Sequence, residues 1–146
     1  MKSIVYRIST SSKKGDRKQN IDQVKIIAGQ GINGDAHSSS DRPLSLLPFE
    51  SFIKVSHPDL DLHPGDFAEN ITTTGLDYTN LKIGSRMRLG ESIEIEIIQI
   101  GKKCHNNCII KEKVGDCIMP REGVFAKVHR GGLLKEGDII SLLDNK

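Results

Sequence analysis

Tryptophan is absent from the 146-residue sequence, cysteine occurs three times, and neither charge sign dominates, with 21 Lys and Arg against 19 Asp and Glu. A net charge of +2 falls short of the stripe of cations that nucleic-acid or membrane-surface binding needs, so neither partner is expected. The one basic cluster, Lys13, Lys14, Arg17 and Lys18, lies between two strand-like segments and reads as a solvated loop. No apolar run approaches the roughly 18 residues of a membrane span, and the N-terminus carries no apolar signal stretch, so a cytoplasmic protein is expected. Three cysteines, an odd number without a secretion signal, favour reduced thiols used for chemistry or metal over a disulfide framework. Neither a P-loop nor a dinucleotide fingerprint is present.

What is there is a succession of short Ile-, Leu- and Val-rich runs separated by Gly, Pro, Asn and Asp, enough for one self-sufficient core over residues 1–146. Strands are expected at 2–9, 22–28, 43–47, 67–73, 86–89, 92–100, 123–129 and 137–143. The clearest is SIEIEIIQI, where Ile93, Ile95 and Ile97 share one face and Glu94 and Glu96 the other. Helical spacing is confined to Pro48–Val55, with Pro48 opening a short helix and Phe49, Phe52 and Ile53 turned inward. Seven or eight strands without intervening helices predict a mainly β, largely antiparallel, distorted barrel with one or two short helices. A faint echo, Leu81-Lys82-Ile83-Gly84 with Leu89 against Leu134-Lys135-Glu136-Gly137 with Leu142, marks two turns that each deliver the chain into a strand.

Three segments carry chemistry. In GKKCHNNCIIKEKVGDCIMPR, a long Gly- and charge-rich loop, Cys104 follows Lys102 and Lys103 and precedes His105. Cationic neighbours favour the thiolate, the form that attacks electrophiles and binds thiophilic metals. A zinc clip built from Cys104, Cys108, Cys117 and His105 is the alternative, although the C-x₃-C-x₈-C spacing lacks the paired short spacings of common zinc knuckles. Cys117, between Asp116 and Ile118-Met119, is the best candidate for an inert core thiol, and Arg121 closes the loop as a residue to cover the site. In GQGINGDAHSSSDRPLSLL, Gly29, Gly31 and Gly34 permit tight or left-handed backbone, either as an ordinary turn or as an anion cradle beside His37 and Arg42. In PGDFAENITTTGL, Glu69, Asn70, Thr72 and Thr73 put polar groups in a strand-like run. They brace the loops, with Glu69 pairing Arg42, or Asn70 and Thr72 form a pocket wall that hydrogen-bonds a heteroaromatic ring or its phosphate.

Taken in order, GINGDAH, RPLSLL followed by Glu50, PGDFAENITTTGL, LKIGSRMRLG, IEIIQIGKKCHNNC and GGLLKEGDII resemble the MOSC family, named for the C-terminal domain of molybdenum cofactor sulfurases. The resemblance spans nearly the whole chain and implies a distorted β-barrel with a cysteine after the long strand that carries sulfur or ligates molybdenum. That cysteine falls on Cys104, and His37, Arg42, Asn70, Thr72, Lys102 and Arg121 become candidates for holding a molybdenum-pterin cofactor. Family members that are full sulfurases have a pyridoxal-phosphate domain, and amidoxime-reducing relatives have an extra N-terminal β-domain. This chain has room for neither, so PLP chemistry is not expected. Two functions follow from the resemblance: a carrier that delivers cofactor or sulfur to a molybdoenzyme or a cofactor-biosynthesis protein, or a reductase of N-hydroxylated compounds fed by electron-transfer partners. Cys108 and Cys117 make the segment richer in cysteine than the usual Pro-Cys form of the motif, which favours the carrier and keeps zinc in play.

Overall fold

The computed structural model describes residues 3–10, 19–35, 43–55, 63–64, 69–100 and 123–143. Among them ten strands form, in chain order β1 (Ile4–Thr10), β2 (Gln19–Ile21), β3 (Gln23–Ile26), β4 (Leu44–Pro48), β5 (Ile71–Thr74), β6 (Arg86–Leu89), β7 (Ile93–Ile100), β8 (Val124–Arg130), β9 (Gly132–Lys135) and β10 (Ile140–Leu143). Eight make one sheet in the order β10-β6-β7-β8-β4-β5-β1-β2, and β3 pairs with β9 in a second, two-stranded sheet. Every pairing among the described residues is antiparallel except β4 with β5.

The strand expected from SIEIEIIQI forms as β7, and its alternation is what fixes its register. Ile93, Ile95 and Ile97 are fully buried in a core shared with Leu44, Leu46, Ile71, Met87 and Val128. A slip of one residue would turn this face to water and bring Glu94 and Glu96 inward. Burial of each isoleucine supplies about 1.5–3 kcal/mol, well above what an exposed ion pair on the other face contributes, so the apolar face decides the register. The sheet curls on itself without a continuous closing ladder. Its β10 end reaches β1 through the bridge pair Ile4 and Ile139, with Ile140 N donating to Ser3 O (2.8 Å) and Val5 N to Asp138 O (2.9 Å). The result is a mainly β, barrel-like fold of distorted form.

The echoed turns do the same work at the two ends of one strand pair. Ser85 N donates to Lys82 O (2.9 Å) and Asp138 N to Lys135 O (3.1 Å), with Gly84 and Gly137 at φ 96° and 90° in the third position. One turn feeds β6 and the other precedes β10, and these two strands pair with each other.

Two sequence expectations need correction. Among the described residues there are ten strands rather than seven or eight, because β2 and β9 were not anticipated; both are three or four residues long and take their conformation from the partners β1 and β3. Pro48 does not open the helix: it ends β4 in register with Thr73, where a missing N–H costs little at a strand terminus. The helix that follows is a 3-10 helix, Phe49–Val55, with Phe52 buried, and a second covers Tyr78–Asn80. No helix among the described residues is long and apolar enough to cross a membrane. The Lys13 to Lys18 cluster lies outside the described residues.

The two faces of β7 make a paired test. Ile95→Ala should cost about 2–5 kcal/mol of unfolding free energy, whereas Glu96→Gln should cost less than about 1 kcal/mol near neutral pH. The hydrogen bond with His129 (2.7 Å) holds the Glu96 carboxyl below its ordinary range, against the opposing effect of burial and with help from the charges of Lys127, His129 and Arg86. A carboxylate lowered in the folded state stabilises above its unfolded pKa and loses that contribution as pH falls through the lowered value. Urea midpoints of wild type and Glu96→Gln should therefore converge as pH drops below about 4, while the Ile95→Ala deficit persists.

Candidate functional site

Register brings residues from distant parts of the sequence into rows across the sheet. One row runs Ile100, Val124, Leu46, Ile71, Ile8 and Ile21. Most of its side chains point into the hydrophobic core. The next row, turned to the opposite face, holds Gln99, Phe125 and Ser45 on one side and Ser9 and Asn20 on the other. Asn70, immediately before β5, fills the gap between Ser45 and Ser9. Outward-facing positions of a sheet are ordinarily wet, yet Ser9, Ser45, Leu47, Asn70, Thr72 and Phe125 are all buried. A covered polar face opposite the core is the feature that sets this part of the sheet apart.

Asn70 holds it together. Its Oδ1 accepts from Ser45 N (3.1 Å) and Ser45 Oγ (3.2 Å), and its Nδ2 donates to Ser9 O (3.3 Å). Its main chain completes the pattern, with Asn70 N donating to Ser45 O (3.0 Å) and Ser9 N donating to Asn70 O (2.7 Å). One carboxamide, able to accept and donate at once, thus joins β1 and β4 across the start of β5. Next to it the fully buried Glu69 accepts from Thr72 Oγ1 (2.8 Å), so the Glu-Asn pair is satisfied within the fold, as burial of such groups requires. Further along β5, Thr73 Oγ1 and the Tyr78 hydroxyl are 2.7 Å apart, and Glu50 Oε2 accepts from Gly75 N (2.9 Å). Burial raises the Tyr78 pKa well above its ordinary value, against the Thr73 hydrogen bond and aided by Glu50 and Glu69, so this hydroxyl stays protonated.

The other two sequence segments are rooted on the same part of the sheet. Ile27 N donates to Gly31 O and Asn33 N to Lys25 O (both 2.9 Å), folding the Gly-rich segment back on β3, and Thr10 Oγ1 donates to the buried Asp35 (2.8 Å). Gly29 and Gly34 take the left-handed backbone that their sequence permits. Gly31 is needed for a different reason: a Cβ there would stand 2.4 Å from Pro43 O, at the entry to β4. Asp35 and Pro43 are thus both held close to the start of β4 and the end of β1. Asn20 Nδ2 donates both to Ser9 Oγ (2.8 Å) and to Pro64 O (2.9 Å), tying the PGDFAEN segment to the same point. The cysteine segment leaves β7 after Ile100 and returns to β8 at Val124, two residues that pair with each other one step along the ladder from Phe125 and Ser45. A β-bulge between Ile97 and Gln99 re-aims the end of β7 just before that exit.

Of the sequence candidates, Asn70 and Thr72 fall on the covered polar face. Cys104, His105, Cys108, Cys117, Lys102, Arg121, His37 and Arg42 lie outside the described residues. No group of three or more His, Cys, Asp or Glu placed to hold a metal occurs among the described residues. Sequence reasoning missed Ser9, Ser45 and Asn20. The signal available was a lone serine among leucines in a strand whose apolar residues occupy both faces, as Ser45 is in LSLL.

The MOSC domain family model matches residues 33–141. No curated protein sequence matches the chain. Among solved structures, the fold is similar to that of the YuaD protein from Bacillus subtilis, with a TM-score of 0.73 and 19% identity over 97% of this chain and 96% of that one. It is also similar to YiiM from Geobacillus stearothermophilus, with a TM-score of 0.72 and 18% identity over 97% and 75% of the two chains. YiiM from Escherichia coli gives a TM-score of 0.70 and 21% identity over 100% and 71%.

Removing the Asn70 side chain takes away the acceptor facing the buried Ser45 N and Oγ and the donor facing Ser9 O. Asn70→Ala should lower unfolding free energy by about 2–4 kcal/mol. A change within about 0.5 kcal/mol in urea denaturation would show that the carboxamide is not what joins these strands.

Proposed function

Because the chain belongs to the MOSC domain family, associated in general with molybdenum cofactor binding or sulfur transfer, we propose that this protein holds a molybdenum-pterin cofactor, or the sulfur destined for it, and delivers it to an acceptor molybdoenzyme through Cys104. The supporting observation is the convergence of roots: the GINGDAH, PGDFAEN and cysteine segments all leave the sheet around one covered polar face.

The donor set suits the group. A thiolate is a soft ligand matched to a thiophilic metal, and Lys102 and Lys103 beside it favour that ionised form. His37 and Arg42, from the segment bounded by Asp35 and Pro43, serve the phosphate end, where a guanidinium offers paired donors in a fixed plane. Asn70 and Thr72 act as wall, since their polar groups are engaged with Ser9, Ser45 and Glu69. When bound, the cofactor supplies a sulfur-ligated metal centre for the acceptor enzyme.

The test is thiol reactivity. In the cofactor-free protein, Cys104 should be alkylated by iodoacetamide faster than Cys117 below pH 8, because its thiolate is favoured. Cys104→Ser should abolish molybdenum or persulfide loading while leaving thermal unfolding unchanged. Equal protection of all three thiols, relieved by a chelator and accompanied by stoichiometric zinc, would replace the carrier with a structural zinc clip.

A further inference from the structure

Past Phe125 the same outer sheet face continues onto β6, β7 and β8, and there it is open and charged. Two rows cross it in register. Arg86, Glu96 and Lys127 form one, and Arg88, Glu94 and Arg130 the other. In each row a carboxylate on the middle strand stands between two cations. Glu96 is engaged by His129 at 2.7 Å, Arg86 at 3.5 Å and Lys127 at 3.9 Å, and Glu94 by Arg130 at 3.2 Å. Arg88 is exposed and has no ion-pair partner among the described residues. Glu91 belongs to the β6–β7 turn, outside the rows.

Every adjacent pair in the two rows is of opposite charge, as cross-strand stabilisation favours, yet each row carries two cations to one carboxylate. Here four cations face two carboxylates. The cations are held out to solvent, with side-chain exposures of 43% for Arg86, 50% for Lys127 and 67% for Arg130. Neighbouring strands lie about 4.8 Å apart, which puts flanking cations of a row roughly 10 Å from each other with a negative charge between them.

We infer that this face of β6, β7 and β8 is a docking surface for an acidic protein surface. Complementarity selects the class: the glutamates in the middle strand repel a continuous phosphate backbone, whereas a folded partner can set carboxylates over the cations and leave the glutamates to its own donors. On β7 the face ends at Glu96, about four residues before the chain leaves the strand after Ile100. Identifying the partner with the acceptor of cofactor or sulfur rests on the function proposed above; the surface itself does not.

Poly-L-glutamate is the probe, with a single-stranded DNA oligomer of equal charge as its counterpart, each titrated at low salt against the full chain while backbone amide NMR shifts are followed. Poly-L-glutamate should perturb amides of β6, β7 and β8 and bind at least ten-fold more tightly than the DNA. Arg88→Glu with Lys127→Glu should weaken it ten-fold or more, and Arg88→Gln with Lys127→Gln, which adds no repulsion, should weaken it by a smaller factor. Lys13→Glu with Lys14→Glu should leave it unchanged. So should Cys104→Ser, whether or not Cys104 carries sulfur, which separates this inference from the carrier reading. Shifts confined to other elements, insensitivity to both β6–β8 double variants, or DNA binding as tight as poly-L-glutamate would overturn it.

Discussion

The carboxamide of Asn70 lies where the backbone alone cannot finish the sheet. β4 and β5 run parallel, while each is antiparallel or joined through hydrogen bonds to a strand on its other side. At the start of such a parallel pair the regular ladder is not yet established, so Ser45 N and Ser9 O need partners from elsewhere. Asn70 supplies an acceptor to one and a donor to the other. An aspartate would offer two acceptors and set a carboxylate against Ser9 O. A leucine would offer neither group. The residue type follows from the geometry of that junction, and the junction sets where the flanking segments leave the sheet.

Its consequence is a sheet with two unlike faces. The inner one is apolar and fixes register by burial, as at Ile93, Ile95 and Ile97. The outer one changes character along the strand order: covered and polar from β8 through β4 and β5 to β1, open and charged from β8 through β7 to β6. On β8 the change occurs within two residues, from buried Phe125 to exposed Lys127. A short polar wall and a cationic platform therefore share one surface, and the chain leaves β7 after Ile100, one step past the polar row at Gln99 and Phe125.

Much of this was legible in the sequence where the signal was local. Alternation in β7 needed no partner to be recognised, and the Lys-x-Gly turns before β6 and β10 repeat the same offsets. Pairing-dependent features were not legible. QNI and GLLK have no alternating pattern of their own and become strands because β1 and β3 lie alongside. Pro48 carries a helix-start signal, yet the parallel register with Thr73 claims it for β4. Asn70 could be read as wall or as brace, since a single sequence does not say which carbonyl lies across from a carboxamide. The distances to Ser45 and Ser9 give it the bracing contacts.

Native-state hydrogen exchange at the Ser45 amide tests the central role of Asn70 most directly, because that buried N–H donates to the Asn70 side chain. In the wild type it should exchange only through global unfolding, as slowly as the amides of Ile95 and Ile97 in β7. In Asn70→Ala it should exchange by local opening while those β7 amides keep their protection. Rapid exchange at Ser45 in the wild type, or unaltered protection in Asn70→Ala, would contradict the assignment of Asn70 as the residue that joins β1 and β4.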